Sequence, residues 1–341
     1  MNRNIAFAAG ALVLAIAAPF IVYPVFLMKV LCFALFACAF NLLIGYTGLL
    51  SFGHAAFFGG AGYITGHTLK VMGWPFELGL VAGVIAAALI GLLMGLLAIR
   101  RQGIYFTMIT LALAQMLFFV CLQVPYTGGE DGLQGVPRGQ LLGMIDLRND
   151  LTMYYVVLAI FIAGFALILR TVHSPFGQVL KAVKENEPRA ISLGYDTDRY
   201  KLMAFVLSAS LAGLAGATKT VVLGFETLTD VHWTMSGLVV LMTLVGGLGT
   251  LAGPVVGAIV IIALENKLGD FGNWMASTTG IDWFRSIGES VTIVTGFIFI
   301  VCVLAFRRGI VGELAELFRR RPREPLSHGA DSGAGTTLAT K

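Results

Sequence analysis

Charge is scarce in this chain: Asp, Glu, Lys and Arg make up 12% of its 341 residues. That is about half the ~25% usual in globular domains. A soluble enzyme of this length could not coat its surface with so few charges, and a disordered chain would need more charge and far less apolar sequence. Cysteine is scarce too. Cys32, Cys38, Cys121 and Cys302 lie inside apolar runs, with no CxxC pair and no ligand partners nearby, which excludes a disulfide scaffold and a zinc site. They read as small buried hydrophobes. Nucleotide motifs are missing: residues 213–220 (GLAGATKT) lack the glycine that precedes a P-loop lysine, and 246–253 (GGLGTLAG) lack the GxGxxG spacing and any βαβ context. No clustered His, Asp or Ser–His arrangement marks a catalytic centre. The sequence therefore assigns no enzymatic activity, metal, cofactor or nucleic-acid partner, and if ATP drives this protein another chain binds it.

What is present is apolar sequence, 57% of the chain, and 42 glycines, nearly double the usual ~7% share. The combination predicts an all-α, polytopic integral membrane protein whose helices pack closely through small residues. Stretches long enough to span fall at 5–24, 26–45, 48–69, 78–99, 103–123, 151–169, 202–223 and 290–306. The first begins like a secretory signal, but its apolar run continues through Tyr23, the length of a retained span. The run 235–264 is too long for one straight span and is broken by Gly246-Gly247-Leu248-Gly249 and Gly253-Pro254. Lysine and arginine bias decides it. Two helices there give about ten spans, with both termini and most of the 23 Lys and Arg in the cytoplasm. A single helix would leave the basic C-terminus outside.

Two loops stand out. The internal loop 170–201 holds Phe176, Val179, Leu180 and Val183 at i, i+3, i+4 and i+7, the apolar stripe of a short helix, with Gln178, Lys181, Lys184 and Glu185 opposite. Asn186 can cap a second short helix that has Glu187 and Pro188 in its first turn and Gly194 just past its end, and Asp196 or Thr197 can cap the next span. Such a loop could rest on lipid headgroups or dock a cytoplasmic partner; two capped helices are more than a lipid contact requires. The outer loop 124–150 contains TGGEDGL (127–133), whose glycines read as turns, either an ordinary capped loop or a contact for an outer partner.

Within the spans ionisable residues are nearly absent, and intramembrane charges normally mark ion or proton paths. Lys219 lies near a span's outer end, where it can snorkel, Glu265 sits at a span end and Glu226 lies just beyond one. The shortage of buried carboxylates argues against a proton- or sodium-coupled carrier. His54 and His67 are titratable at depth, and Asn41, Thr107, Thr110 and Gln115 are the other polar candidates, for a path or for interhelical hydrogen bonds. The bends Gly45-Tyr46-Thr47-Gly48 and Gly246-Gly247-Leu248-Gly249 share a spacing and follow similar apolar leads, a hint of the internal repeats seen in transporters with broken helices. Asn41, Gly45, Gly48, Ser51, His54, Gln115, Gly246, Gly249 and Gly253 are thus the candidate path and hinge residues.

Five segments together resemble the permease subunits of ABC importers for branched-chain amino acids: NLLIGYTGLLSFGHAAFFGGAGY (41–63), RRQGIYFTMITLALAQM (100–116), TGGEDGL (127–133), the stretch from Ser174 to Ala217, and LVGGLGTLAGPVVGA (244–258) with FRRGIVG (306–312). The resemblance covers about residues 30–312, and the chain looks like the permease with the longer outer loop. It implies a bacterial inner-membrane heterodimer with a second related permease, two cytoplasmic ABC ATPase subunits and a periplasmic amino-acid-binding protein. It also implies that the loop at 176–194 couples to the ATPases, with Glu187, Pro188, Arg189, Ala190, Leu193 and Gly194 near the ATPase groove. Lys219 stands where the resemblance leads one to expect an apolar residue. Related permeases carry urea and short amides, so the solute is less firmly implied than the family; a secondary carrier is the rival reading. A permease domain over 1–309 is expected, then a basic cytoplasmic helix over 310–324 touching anionic lipid and a disordered tail over 325–341.

Overall fold

The computed structural model describes residue 10, residues 12–279 (backbone alone over 268–279), 296–297, 300 and 309–313. The start of the first expected span, most of the span at 290–306, most of the basic helix and the tail lie outside the described residues. Residues 12–17 are helical and run into a 3-10 turn at Ala18–Phe20. Then follow α1 (Pro24–Thr47), α2 (His54–Lys70), α3 (Phe76–Ala98), α4 (Ile104–Gln123), α5 (Asp150–His173), α6 (Pro175–Glu185), α7 (Glu187–Ser192), α8 (Thr197–Leu223), α9 (Leu228–Val231), α10 (Trp233–Gly246) and α11 (Gly253–Thr279). Helices α1, α3, α4, α5 and α8 are long and apolar enough to cross a membrane. Among the described residues, four two-residue strands decorate loops on one side and do not alter the all-α class: β1 (Leu133–Gln134) pairs antiparallel with β4 (Phe225–Glu226), and β2 (Gln140–Leu141) with β3 (Ile145–Asp146).

Local chemistry sets the boundaries. Side-chain caps start four consecutive helices: Asn149 accepts from Leu151 N (3.0 Å), Ser174 from Gly177 N (3.3 Å), Asn186 from Arg189 N (3.1 Å) and Asp196 from Arg199 N (3.3 Å). Pro175 and Pro188 occupy first-turn positions, where a missing N–H costs nothing. Of the two caps the sequence offers for α8, Asp196 is the one used. The run 235–264 is indeed two helices, α10 and α11, folded back on each other so that Gly246 meets Gly253 and Gly257 meets Met242.

Helices α1 and α8 form the centre: 78% of the apolar window of α1 and 72% of that of α8 are buried, against 22% for α4. Their apolar side chains point inward all round, as expected of helices surrounded by other helices. Phe36 and Phe58 (centroids 4.4 Å apart), with Phe57 and Phe205 (5.5 Å), fill the crossing of α1, α2 and α8. The outward faces of α3 and α4 expose Leu78, Ile85, Leu89, Met108 and Phe119, suited to lipid or to another apolar subunit.

The bundle has two ends. One carries α6, α7, the end of α1 and the α10–α11 turn; the other carries the four strands. Helix α2 starts below the first of these ends, because residues 48–53 bend back before it: Phe40, almost two turns from the end of α1, already packs edge-on against His54 at 4.9 Å. Gly309 lies against Gly247, so the chain has returned to the α6–α7 end there.

Candidate coupling and translocation sites

Helices α6 and α7 form a folded unit. The predicted stripe faces the protein itself: Leu180 and Val183 are buried, and Phe176 stacks on Tyr200 with centroids 5.7 Å apart. Val179 is half-buried. The stripe therefore anchors the loop to the bundle and is not available to lipid. Ala190 is buried too, and Glu187 turns inward, accepting from Lys201 Nζ and from Thr197 Oγ1 (3.3 Å). Pro188, Arg189 and Gly194 are left exposed, joined by Ile191 (56% exposed) and Leu193 (70%). Two large aliphatic side chains are thus held out at the end of a capped helix of under two turns, an exposed apolar tip. Ile191 was not among the residues the sequence singled out; its spacing from Leu193 carries no periodic signal.

The two glycine bends meet. Asn41 Nδ2 donates to Thr250 O (2.9 Å), and its Oδ1 accepts from Gly249 N (2.9 Å). A Cβ at Gly45 would stand 3.0 Å from the Cα of Gly249, so only glycine permits this approach. Gly48 ends α1 in the left-handed conformation (φ 76°), and Gly246 and Gly253 form the base of the second bend. Ser51 accepts from Gly53 N (3.1 Å) just ahead of α2, while Thr107 and Thr110 of α4 bond the 48–53 bend at Leu50 O (2.9 Å) and Phe52 N (3.3 Å). These threonines are interhelical clasps.

His54 is likewise a clasp. Its Nε2 is 2.9 Å from Ser208 Oγ, which itself donates to Ala39 O (2.6 Å), and Phe40, Phe57 and Phe205 surround the ring. Gln115 is half-buried on α4. A cleft of about 460 Å³ opens at the α6–α7 end beside Gly48, Leu49, Leu50, Gly103, Ile104, Phe106 and Thr107. Of the residues the sequence offers for a path, Gly48 and Thr107 border it.

At the strand-bearing end the structure overturns two expectations. Lys219 does not snorkel: it is 3% exposed, and its ammonium sits 2.5 Å from Asp230 Oδ2 and 3.3 Å from Glu226 Oε2. Nor are buried carboxylates lacking, since Glu226 and Asp230 are both enclosed. Asp230 also accepts from Thr227 N (3.2 Å) and Thr227 Oγ1 (2.7 Å), and Glu226 Oε2 lies 2.6 Å from Thr220 Oγ1. The rings of Phe58 and Phe225 lie 6.0 and 5.7 Å from the ammonium, within cation–π range. Glu226 fits because Gly62 leaves room; a Cβ there would stand 2.6 Å from its carboxyl carbon. Two carboxylates share one ammonium, and Glu226 Oε1 has no hydrogen-bond partner. Burial pushes the Glu226 carboxyl up to about 8, with the charge of Asp230 adding and Lys219 and Thr220 opposing. Opposite charges at 219, 226 and 230 bracketing Gly224 are a readable signal, but taken one at a time Lys219 reads as a snorkelling lysine and Glu226 as a residue just beyond a span, not as partners.

The triad pins the segment 225–236 along α2. Val231 sits at Gly59, and Ser236 Oγ donates to Phe52 O (2.8 Å) while accepting from Ala55 N (2.8 Å). The long loop is tied to the same segment by the β1–β4 pairing and by Val136 N to Gly224 O (2.8 Å). Arg138 bonds both Asp150 (2.5 Å) and Val222 O (3.0 Å).

Broken helices, glycine seams and a capped helical loop define an all-α polytopic membrane protein of the kind that moves solutes. The chain belongs to the family described as "Branched-chain amino acid transport system / permease component", whose profile matches residues 23–306. It is similar to the high-affinity branched-chain amino acid transport system permease protein LivM of Escherichia coli, 26% identical over 300 residues covering 79% of this chain and 69% of that protein. LivM of Salmonella typhimurium is 25% identical over the same shares. The autoinducer 2 import system permease protein LsrC of Klebsiella pneumoniae is 30% identical over 197 residues, 54% of this chain and 53% of that one. The family thus spans solutes of different chemistry.

Proposed function

We propose that this chain is the permease subunit of an ATP-driven importer for branched-chain amino acids, paired with a second related permease, two cytoplasmic ATPases and a periplasmic binding protein. The observation that carries the reading is the α6–α7 unit: its apolar stripe is spent on anchoring, and its tip presents Ile191 and Leu193 outward. An ATPase groove is the occupant such a tip suits. In this reading the α6–α7 end and both termini are cytoplasmic, and the strand-bearing end receives solute from the binding protein. ATP-driven closure moves α6–α7 and rocks the spans between two packings. The basic run Arg319-Arg320-Arg321-Pro322-Arg323 then faces anionic lipid.

The triad removes charge scarcity as an argument against an ion-coupled carrier, so ATP coupling rests on the family and on the α6–α7 tip. The pair Leu193→Asp and Arg189→Glu, neither buried, tests it. Uptake and binding-protein-stimulated ATP hydrolysis should fall while membrane insertion stays normal. Unchanged ATPase association and coupling would count against the assignment. Competition between labelled leucine and urea or short amides separates the solute classes.

A further inference from the structure

Two lysines of α6 grip the last turn of α1, apart from the exposed tip. Lys184 Nζ donates to Gly45 O at 2.7 Å, and Lys181 Nζ stands 5.8 Å from the Tyr46 ring centroid. Carbonyls of a final helical turn lack intrahelical partners and carry the negative end of the helix dipole, so a cation is favoured there. One turn earlier, Asn41 bonds Thr250 O and Gly249 N, both at 2.9 Å, and Gly45 leaves no gap to Gly249. The path runs without interruption from α6 through the end of α1 to the 247–252 bend. Apolar contacts under α6 are non-directional and let it slide; the Lys184 bond is directional and resists sliding.

We propose that Lys184 is a positioning residue for transport, holding the last turn of α1 and the 247–252 bend to α6 so that displacement of α6 moves both glycine bends. This deepens the coupling reading above and rests on it. Neither Lys184 nor Asn41 lies on the surface assigned to the ATPase, so the two ideas fail differently.

The test uses the full complex, with both permeases and both ATPases, in proteoliposomes with the loaded binding protein. Lys184→Met keeps the stem and removes the donor. It should retain ATPase association and basal hydrolysis but lose uptake and stimulated hydrolysis by about fivefold, the size expected for one net hydrogen bond from an exposed lysine. Lys184→Arg, which keeps a donor, should recover most of the loss. Asn41→Leu should act in the same direction, and the double variant should be little worse than either single one. Hydrogen exchange gives the discriminating readout: ATP should change protection at 187–194 in every variant, but at 247–252 only where the Lys184 donor is present. An ATP-dependent change at 247–252 that persists in Lys184→Met, or uptake within twofold of the parent, overturns the proposal. If Lys184→Met fails to insert, Lys184→Gln replaces it with the same outcomes. If instead the coupling reading is wrong, Arg189→Glu leaves association intact and ATP changes nothing at 187–194 in the parent.

Discussion

Replacing Lys219 with Met should be among the most damaging single changes in the chain. Its ammonium lies 2.5 Å from one buried carboxylate and 3.3 Å from another. At an effective dielectric of ~20, the Lys219–Asp230 pair carries a gross attraction of about 7 kcal/mol, while Glu226, which keeps its proton below about pH 8, adds a hydrogen bond. The cost of burying both charges offsets most of that. The loss expected when one partner of a buried ion cluster is removed is about 3–5 kcal/mol, because the remaining charge has nowhere to go. At ~2 °C per kcal/mol, suited to a chain of this size, the midpoint should fall by roughly 6–10 °C. Detergent-solubilised protein heated in steps and read by size-exclusion chromatography would measure it, as an operational midpoint if unfolding is irreversible. The triple variant Lys219→Met, Glu226→Gln, Asp230→Asn removes every charge together and should regain most of the loss. A Lys219→Met midpoint within about 2 °C of the parent would refute the reasoning, since it would mean the Asp230 carboxylate reaches water or finds another partner.

Raising the pH should weaken the fold. Glu226 binds its proton more tightly folded, at about 8, than at its ordinary 4.5, so between those values the folded state holds more protons and stability falls as pH climbs. Midpoints from pH 5 to 8 should show that slope, levelling off above it, and Glu226→Gln should flatten it. Gly62→Val places atoms where the Glu226 carboxyl sits and should prevent stable insertion, read as lost monodisperse protein. Ser208→Ala strips His54 Nε2 and Ala39 O of their partner and should cost about 1–3 kcal/mol, seen as a lowered midpoint. Arg138→Met cuts the tie between the long loop and the end of α8, and protease nicking within 124–147 should accelerate while the spans persist.

Much of the architecture is legible in the residues because its signals are local. Asn186, Pro188 and Gly194 announce a capped short helix, and the bend at Gly246–Gly253 announces two helices, since caps and turns depend on a few neighbouring backbone groups. The stripe Phe176, Val179, Leu180, Val183 was also correctly periodic, yet periodicity states only that a face is apolar. It does not say whether the cover is the protein, lipid or another chain; the fold assigns it to the bundle. The resemblance implies Glu187 near the ATPase groove, yet it pairs inward with Lys201 because α7 and α8 pack side by side.

Sequence alone fixed the class: scarce charge, long apolar runs and abundant glycine admit little besides a polytopic helical membrane protein, because hydrocarbon demands helices with internally satisfied backbones. Only the tertiary structure decided how the few polar groups are used. Asn41 and Gly249 are more than 200 positions apart and become hydrogen-bonded partners. Lys219, Glu226 and Asp230 look like separate rim charges until the segment after Gly224 folds down along the glycines of α2 and buries them together. A charge is costly or harmless according to what surrounds it, and surroundings are a property of packing that linear spacing does not carry.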